Sequence, residues 1–172
     1  MRVFLRALEL TDVEKLTEWR NNIEITSPLG GNTYFVSSLR ETEWLKSVIL
    51  NDNNNIRLAI CLTENNLHIG NINITSINWI NRCGEFSIMI GDKNQWSKGL
   101  GTEATRMMLR YAFAELNLHR IFLTVRFDNA HAIELYSKVG FKQEGILRES
   151  LYKNNKYIDM ILMSILKNEF ND

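Results

Sequence analysis

Gln95-Trp96-Ser97-Lys98-Gly99-Leu100-Gly101-Thr102-Glu103-Ala104 places two glycines between an apolar run and a helical pattern. Upstream, Phe86-Ser87-Ile88-Met89-Ile90 reads as a strand. Downstream, Ala104, Met107, Met108, Tyr111, Ala112 and Leu116 fall on one broad face of a helix predicted over 99–116. A glycine turn between strand and helix lets backbone N–H groups approach an anion, and the helix start adds its dipole and unpaired donors. A pyrophosphate is the natural guest. The spacing is not that of a Walker loop. Gly99, Gly101 and Ala104 do satisfy the relaxed dinucleotide pattern G-x-G-x-x-A. Its context fails, because His119 and Arg120 stand where an acidic residue is needed, and too little chain follows. An ordinary strand–helix turn remains the plain alternative.

Outward from this turn the pattern is mixed. Val3, Leu5 and Ala7 alternate as a strand, and Thr11-Asp12-Val13-Glu14 reads as a capping box that opens a helix. Residues 21–34, with Pro28, Gly30 and Gly31, are expected to be loop. Ser38-Leu39-Arg40-Glu41 reads as a second capping box, and 52–55 as a turn. Ile56, Leu58, Ile60 and Leu62 alternate, and Leu67, Ile69 and the run 72–77 give a further strand interrupted by Gly70. After the long helix come a strand at Ile121, Leu123 and Val125, a helix over 130–139 ended by Gly140, and closing strands over 141–146 and 157–166. The expected order is β-α-α-β-β-β-α-β-α-β-β.

The 172 residues fit one domain, expected over 1–172. With 20 basic and 20 acidic residues the chain is neutral, which supplies no field to draw nucleic acid or an anionic membrane. Cys61 and Cys83 lie in apolar strand-like runs without a CxxC partner, as buried reduced thiols would, and no His/Cys/Asp grouping has metal spacing, so no metal is expected. Charges at Arg2, Arg6 and Glu9 interrupt any signal-like run, and no window is apolar enough to span a membrane, so the expected location is the cytoplasm.

A second segment, Asn129-Ala130-His131-Ala132-Ile133-Glu134-Leu135-Tyr136-Ser137-Lys138-Val139-Gly140-Phe141, can be read physically. Asn129 can cap a helix, Ala132 is small enough to let a ligand approach, and Tyr136 can border the same cleft as Asn129. Standing alone, Tyr136 would be an ordinary core tyrosine.

Together the two segments resemble the GNAT superfamily of N-acetyltransferases. The pattern N-x-x-A-x-x-x-Y-x-K-x-G-F is matched at every fixed position, and Gly99 and Gly101 fall on the glycines of the loop [Q/R]-x-x-G-x-[G/A]. Trp96 replaces the Gln or Arg of that loop. Tryptophan there is similar to the branch that acetylates ribosomal-protein N-termini. The tail Glu144-Gly145-Ile146-Leu147-Arg148-Glu149 through Tyr157-Ile158-Asp159 also resembles that branch. The likeness spans nearly the whole chain, most densely from Glu85 to Asp159.

The resemblance implies an α/β fold with a mixed, mostly antiparallel sheet of about seven strands and helices on both faces. The strands holding Glu85–Ile90 and Arg120–Val125 would part to admit the pantetheine of acetyl-CoA. Ile88, Met89, Ile90, Trp96, Ser97, Lys98, Gly99, Leu100, Gly101, Thr102, Asn129, Ala132 and Tyr136 would contact this co-substrate. Tyr136 would protonate the leaving thiolate. Glu85 would take the amine's proton, a surface carboxylate being the plain alternative. The loop over 19–34, the second helix and the 152–157 turn would build the acceptor site, with Trp19, Arg20, Asn21 and Glu85 lining it. Glu24, Glu41 and Glu43 could hold a cationic amine or simply face solvent. Of the histidines, His68 is expected on a solvent-facing strand position, His119 in a structural one, and His131 near the co-substrate. A protein N-terminus is the leading acceptor on branch likeness. A polyamine, aminosugar nucleotide or amino acid is the alternative, and a CoA-binding sensor without turnover is the rival of another class. The branch commonly forms homodimers.

Overall fold

The computed structural model describes residues 1–31, 34–51 and 53–171. The 52–55 turn is therefore described from Asn53 onward, and Asn32, Thr33, Asp52 and Asp172 lie outside the described residues. In chain order the elements are β1 (Val3–Ala7), α1 (Val13–Asn21), a short α2 (Ile23–Thr26), α3 (Ser38–Asn51), β2 (Ile56–Leu62), β3 (His68–Asn78) and β4 (Cys83–Ile90). Then follow α4 (Leu100–Arg110), β5 (Arg120–Arg126), α5 (Ala130–Val139), β6 (Lys142–Lys153) and β7 (Lys156–Leu166).

One sheet of 7 strands runs β1-β2-β3-β4-β5-β7-β6. Every neighbouring pair is antiparallel except β4 and β5. That parallel pair is short: Cys83, Gly84 and Glu85 face Arg120, Ile121 and Phe122, and the pairing stops there. Beyond Glu85 and Phe122 the two strands part, as the family resemblance implies.

Alternation along the strands divides the core between two faces. Phe86, Ile121, Leu123 and Val125 pack with Leu100, Ala104, Met108, Leu109, Tyr136 and Val139 of α4 and α5. On the other face Ala59 and Cys61 meet Leu16 and Trp19 of α1, Ile25 of α2 and Leu45 of α3, with Met89 of β4 against them. Burying each such large apolar side chain stabilises by about 1.5–3 kcal/mol.

Several local expectations are corrected. The first helix is opened from Glu9, not Thr11: Asp12 Oδ2 accepts from Glu9 N–H at 2.9 Å. The third is capped by Ser37, whose Oγ accepts from Arg40 N–H at 3.2 Å, one residue before the expected Ser38. The loop over 21–34 contains the one-turn α2, capped by Asn22. The helix over 99–116 loses α-geometry after Arg110, where Tyr111–Glu115 form a π turn. The strand expected over 141–146 is twice as long, because two bulges let β6 follow β7 to the hairpin tip. Asp159 stabilises one of them by accepting from Glu149 N–H at 2.7 Å, where Glu149 has φ 51°.

Candidate active site

The fork between β4 and β5 organises the site. Glu85 is the last residue of β4 paired with β5, and Phe86 is the first beyond it. Adjacent strand residues point to opposite faces. Phe86 points into the α4–α5 layer, where its ring lies edge-on to Tyr136, centroids 6.1 Å apart at 88°. Glu85 therefore points to the α1–α3 side with Ser87 and Met89. Tyr136 and Glu85 thus flank the fork at the same level from opposite faces of the sheet.

Tyr136 is held there by α5. Asn129 opens this helix, its Oδ1 accepting from Ala132 N–H at 3.1 Å. Gly140 closes it in the left-handed region, φ 113°. The ring also packs on Phe141, 5.7 Å away. Tyr136 is 8% exposed. Burial pushes its phenol from the ordinary value up to about 12. The phenol is thus fully protonated at neutral pH, but it is a weaker acid than an exposed tyrosine. Proton transfer from Tyr136 to a thiolate is therefore more uphill than from an ordinary phenol.

Past the fork, the side of β4 that faced β5 has no strand partner along Ile88, Met89 and Ile90. Such backbone groups need partners. The Trp96 indole N–H supplies one, donating to Ile90 O at 2.8 Å. So Trp96, where the family pattern has Gln or Arg, ties the following turn to the end of β4. Asp92 caps the intervening residues through Asn94 N–H, and Lys98 Nζ donates to Gln95 Oε1 at 3.1 Å. Ser97 and Gly99 both take positive φ, 59° and 77°. The turn releases into α4 with the N–H groups of Leu100, Gly101 and Thr102 in the first helical turn, which has no intrahelical acceptors. Arg2 steadies it from outside by donating to Lys98 O at 2.8 Å and pairing with Glu103 at 3.0 Å. The first-turn N–H groups of α4 thus stand free of intrahelical acceptors beside the end of β4.

Gly101 also has a packing role between the two helices. A Cβ there would sit 3.2 Å from Leu135 Cδ1. Its missing side chain lets α4 approach α5 closely.

On the opposite face, Trp19, Arg20 and Asn21 are engaged in the scaffold. Trp19 is buried against Gly91, where a Cβ would fall 2.1 Å from Trp19 Cδ2, and its ring meets His68 edge-on. Arg20 pairs with Glu41 at 3.1 Å and lies over the Trp44 ring. Asn21 grips Val36 twice, donating to its carbonyl and accepting from its N–H. Glu41 is 1% exposed and so belongs to the core, not the solvent face; burial raises its carboxyl above the ordinary value, against the pull of Arg20. Glu24 and Glu43 are exposed and pair with Lys93 and Lys46.

His68 is also buried, at 4% exposure. Its Nδ1 lies 3.0 Å from Asp12 Oδ1, and its Nε2 lies 2.9 Å from both Gly70 O and Asn71 Oδ1. Burial holds its pKa below the ordinary value, while Asn71 and Asp12 oppose. Burial would raise the carboxyl of Asp12, but Arg6, the Glu9 N–H and His68 hold it low. Alternation with Leu67 and Ile69 hid this cluster, because β3 bends at the bulge beside Gly70.

Sequence reasoning missed the residues that fasten 22–31, which we call the strap. Arg126 donates to Ser27 O at 2.6 Å, Asn129 to Pro28 O at 3.1 Å, and Lys153 to the carbonyls of Thr26, Leu29 and Gly31. On the β4 side Lys93 pairs with Glu24. Under the strap, at the end of β5, opens a cleft of about 580 Å³ bordered by Glu24, Ser27, Arg126, Asp128, Asn129 and His131. His119 is exposed in the connection before β5.

A sheet split after three rungs, with the free first-turn N–H groups of α4 beside the end of β4, defines an acyltransferase of the GNAT type. The chain matches the acetyltransferase (GNAT) domain family over residues 2–142 and belongs to it. It is 36% identical over 166 residues to spermidine N(1)-acetyltransferase of Vibrio cholerae serotype O1, covering 96% of this chain and 94% of that protein. It is 28% identical over 175 residues to the putative ribosomal N-acetyltransferase YdaF of Bacillus subtilis, covering 98% and 93%. The crystal structure of spermidine N-acetyltransferase from Vibrio cholerae in complex with CoA and spermine is similar over 98% of this chain and 97% of that one, with a TM-score of 0.91 at 33% identity. The protein is an N-acetyltransferase that uses acetyl-CoA. No helix among the described residues is long and apolar enough to cross a membrane.

Proposed function

We propose that this enzyme acetylates a primary amine of a polyamine. What carries the reading is likeness over nearly the full length, at 36% identity, to a spermidine N(1)-acetyltransferase. The related structure holding CoA and spermine, with a TM-score of 0.91, supports it. A ribosomal-protein N-terminus, the first expectation from branch likeness, is the second reading; the 28% identity to YdaF favours it.

The residues divide the work as follows. The first-turn N–H groups of Leu100, Gly101 and Thr102 receive the pyrophosphate. The unpaired edge of Ile88–Ile90 receives the pantetheine amides, as a strand edge receives a peptide. Met89, Trp96, Ser97, Lys98, Gly99, Asn129 and Ala132 complete this wall. Glu85, on the α1–α3 side, accepts a proton from the incoming ammonium, directly or through water, so that the neutral amine can attack the thioester carbonyl. The C–N bond forms, the C–S bond breaks, Tyr136 gives its proton to the departing thiolate from the other face, and the second proton of the acylated nitrogen leaves to solvent, from which Tyr136 is reprotonated. Trp19, Arg20 and Asn21 act on the acceptor through the walls they hold.

The test is steady-state release of free CoA with spermidine, spermine, N-terminal peptides, aminosugar nucleotides and amino acids. Polyamines should give kcat/KM at least tenfold above every other class. A peptide N-terminus turned over faster would replace the reading.

A further inference from the structure

A lysine ammonium has three donors and no acceptor. In Lys153 all three are used: Nζ lies 2.6 Å from Thr26 O, 2.9 Å from Leu29 O and 2.9 Å from Gly31 O. The residue is 5% exposed, and no carboxylate among the described residues pairs with it. A buried cation without a carboxylate is costly to keep. Its partners are three carbonyls of a single short segment.

That segment has little means of holding its own shape. The α2 helix is 4 residues long, far below the ~12–15 at which an isolated helix holds in water. Pro28, Gly30 and Gly31 follow, and Ile25 is its buried apolar anchor. Apart from the Lys93–Glu24 pair, its ties come from the far half of the sheet: Arg126 at the end of β5, Asn129 at the start of α5 and Lys153 at the end of β6. Lys153 makes more of these bonds than either of the others, and Gly30 is pressed on Met160 of β7 beside it.

We infer that Lys153 is a positioning residue for the acceptor: its ammonium gathers the carbonyls of Thr26, Leu29 and Gly31 and so sets the wall against which the amine is held. This rests on the reading above that the acceptor enters from the α1–α3 side. By the same reading acetyl-CoA binds to groups that Lys153 does not touch, although Asn129 among them also holds the strap through Pro28 O. The residue therefore acts on the amine and not on the thioester.

Lys153→Met keeps the length and removes all three bonds. It should raise KM for the amine at least tenfold, with the dissociation constant of CoA within about twofold of the parent and kcat changed less than KM. Lys153→Arg keeps the charge but spreads its donors over a planar fork, and should give an intermediate KM. Ile165→Val, a remote core change, serves as a stability control. Amide hydrogen exchange should rise over 22–31 in Lys153→Met and not in Ile165→Val. The assay uses whichever amine the parent turns over best, so an inert polyamine would sink the substrate reading and leave this test intact. An unchanged amine KM in Lys153→Met, or equal effects in Ile165→Val, would overturn the role. If Lys153→Met does not fold, an unchanged amine KM in Lys153→Arg does so.

Discussion

The two faces of the fork are built by different means. The α4–α5 face uses backbone and small residues: a glycine turn, a helix start, an asparagine cap and a tyrosine locked between two phenylalanines. The α1–α3 face uses charged side chains that reach across the chain: Arg6, Asp12 and His68 within it, Arg126 and Lys153 onto its strap. The first kind of wall suits a ligand that never changes. The second can be altered one side chain at a time, which suits the part of a site that decides the acceptor.

The largest effect that could sharpen this comparison is at Tyr136. Tyr136→Phe should lower kcat by about 10²–10⁴-fold, the usual yield of general acid catalysis, and leave CoA affinity unchanged. If turnover is unaltered while chemistry is rate-limiting, the ring is only packing and the first face holds no catalytic group.

Next is Glu85. Glu85→Gln should depress the rate most at low pH, where free amine is scarcest, by roughly tenfold or more, and converge on the parent at high pH. Parallel pH–rate profiles would hand the proton to water or another group.

The charged cluster predicts a pH dependence of stability. Asp12 and His68 both have lowered pKa values, from 3.8 and 6.5. In both cases the unfolded chain binds more protons than the folded one, so stability falls as pH falls. The His68 part is lost below about pH 6.5 and the Asp12 part below about pH 4. Asp12→Asn should cost about 1.5–3 kcal/mol at neutral pH, the range for hydrogen bonds to a charged group. That gap should narrow in acid; denaturant titrations from pH 7 to pH 3 that show a constant gap would remove the linkage.

The smallest effect separates packing from ligand binding in the glycine turn. Gly101→Val should lower stability by about 1–3 kcal/mol through overpacking against Leu135. Gly99→Ala, strained at φ 77°, should cost about 1 kcal/mol and weaken CoA binding. If calorimetry shows the Gly101 variant stable but unable to bind CoA, the glycine serves the ligand after all.

What was legible follows the same division. Asn129, Tyr136, Gly140 and the turn at Gly99 announce themselves because their roles depend on neighbours within a few residues. Strand alternation puts Glu85 and Phe86 on opposite faces for the same local reason. Lys153 and Arg126 gave no such signal, since their partners lie 99 or more positions away, on the strap. His68 misled because the bulge at Ile60 and Cys61 shifts the pairing just where alternation was counted. Glu41 misled because a carboxylate in a first turn ordinarily faces water, and only Arg20, from another helix, makes its burial tolerable.

The three rungs joining β4 to β5 bear on how the chain reaches this shape. On one side β2, β3 and β4 are consecutive antiparallel neighbours, and on the other β6 and β7 form a hairpin; such pairings close over short stretches of chain. Cys83–Glu85 must instead find Arg120–Phe122 across the whole of α4, with only three pairs to reward the closure. The two half-sheets should therefore assemble separately and join last. Substitutions at the junction should then speed unfolding and leave the folding rate nearly untouched, whereas those in the β2–β3–β4 meander should slow folding itself.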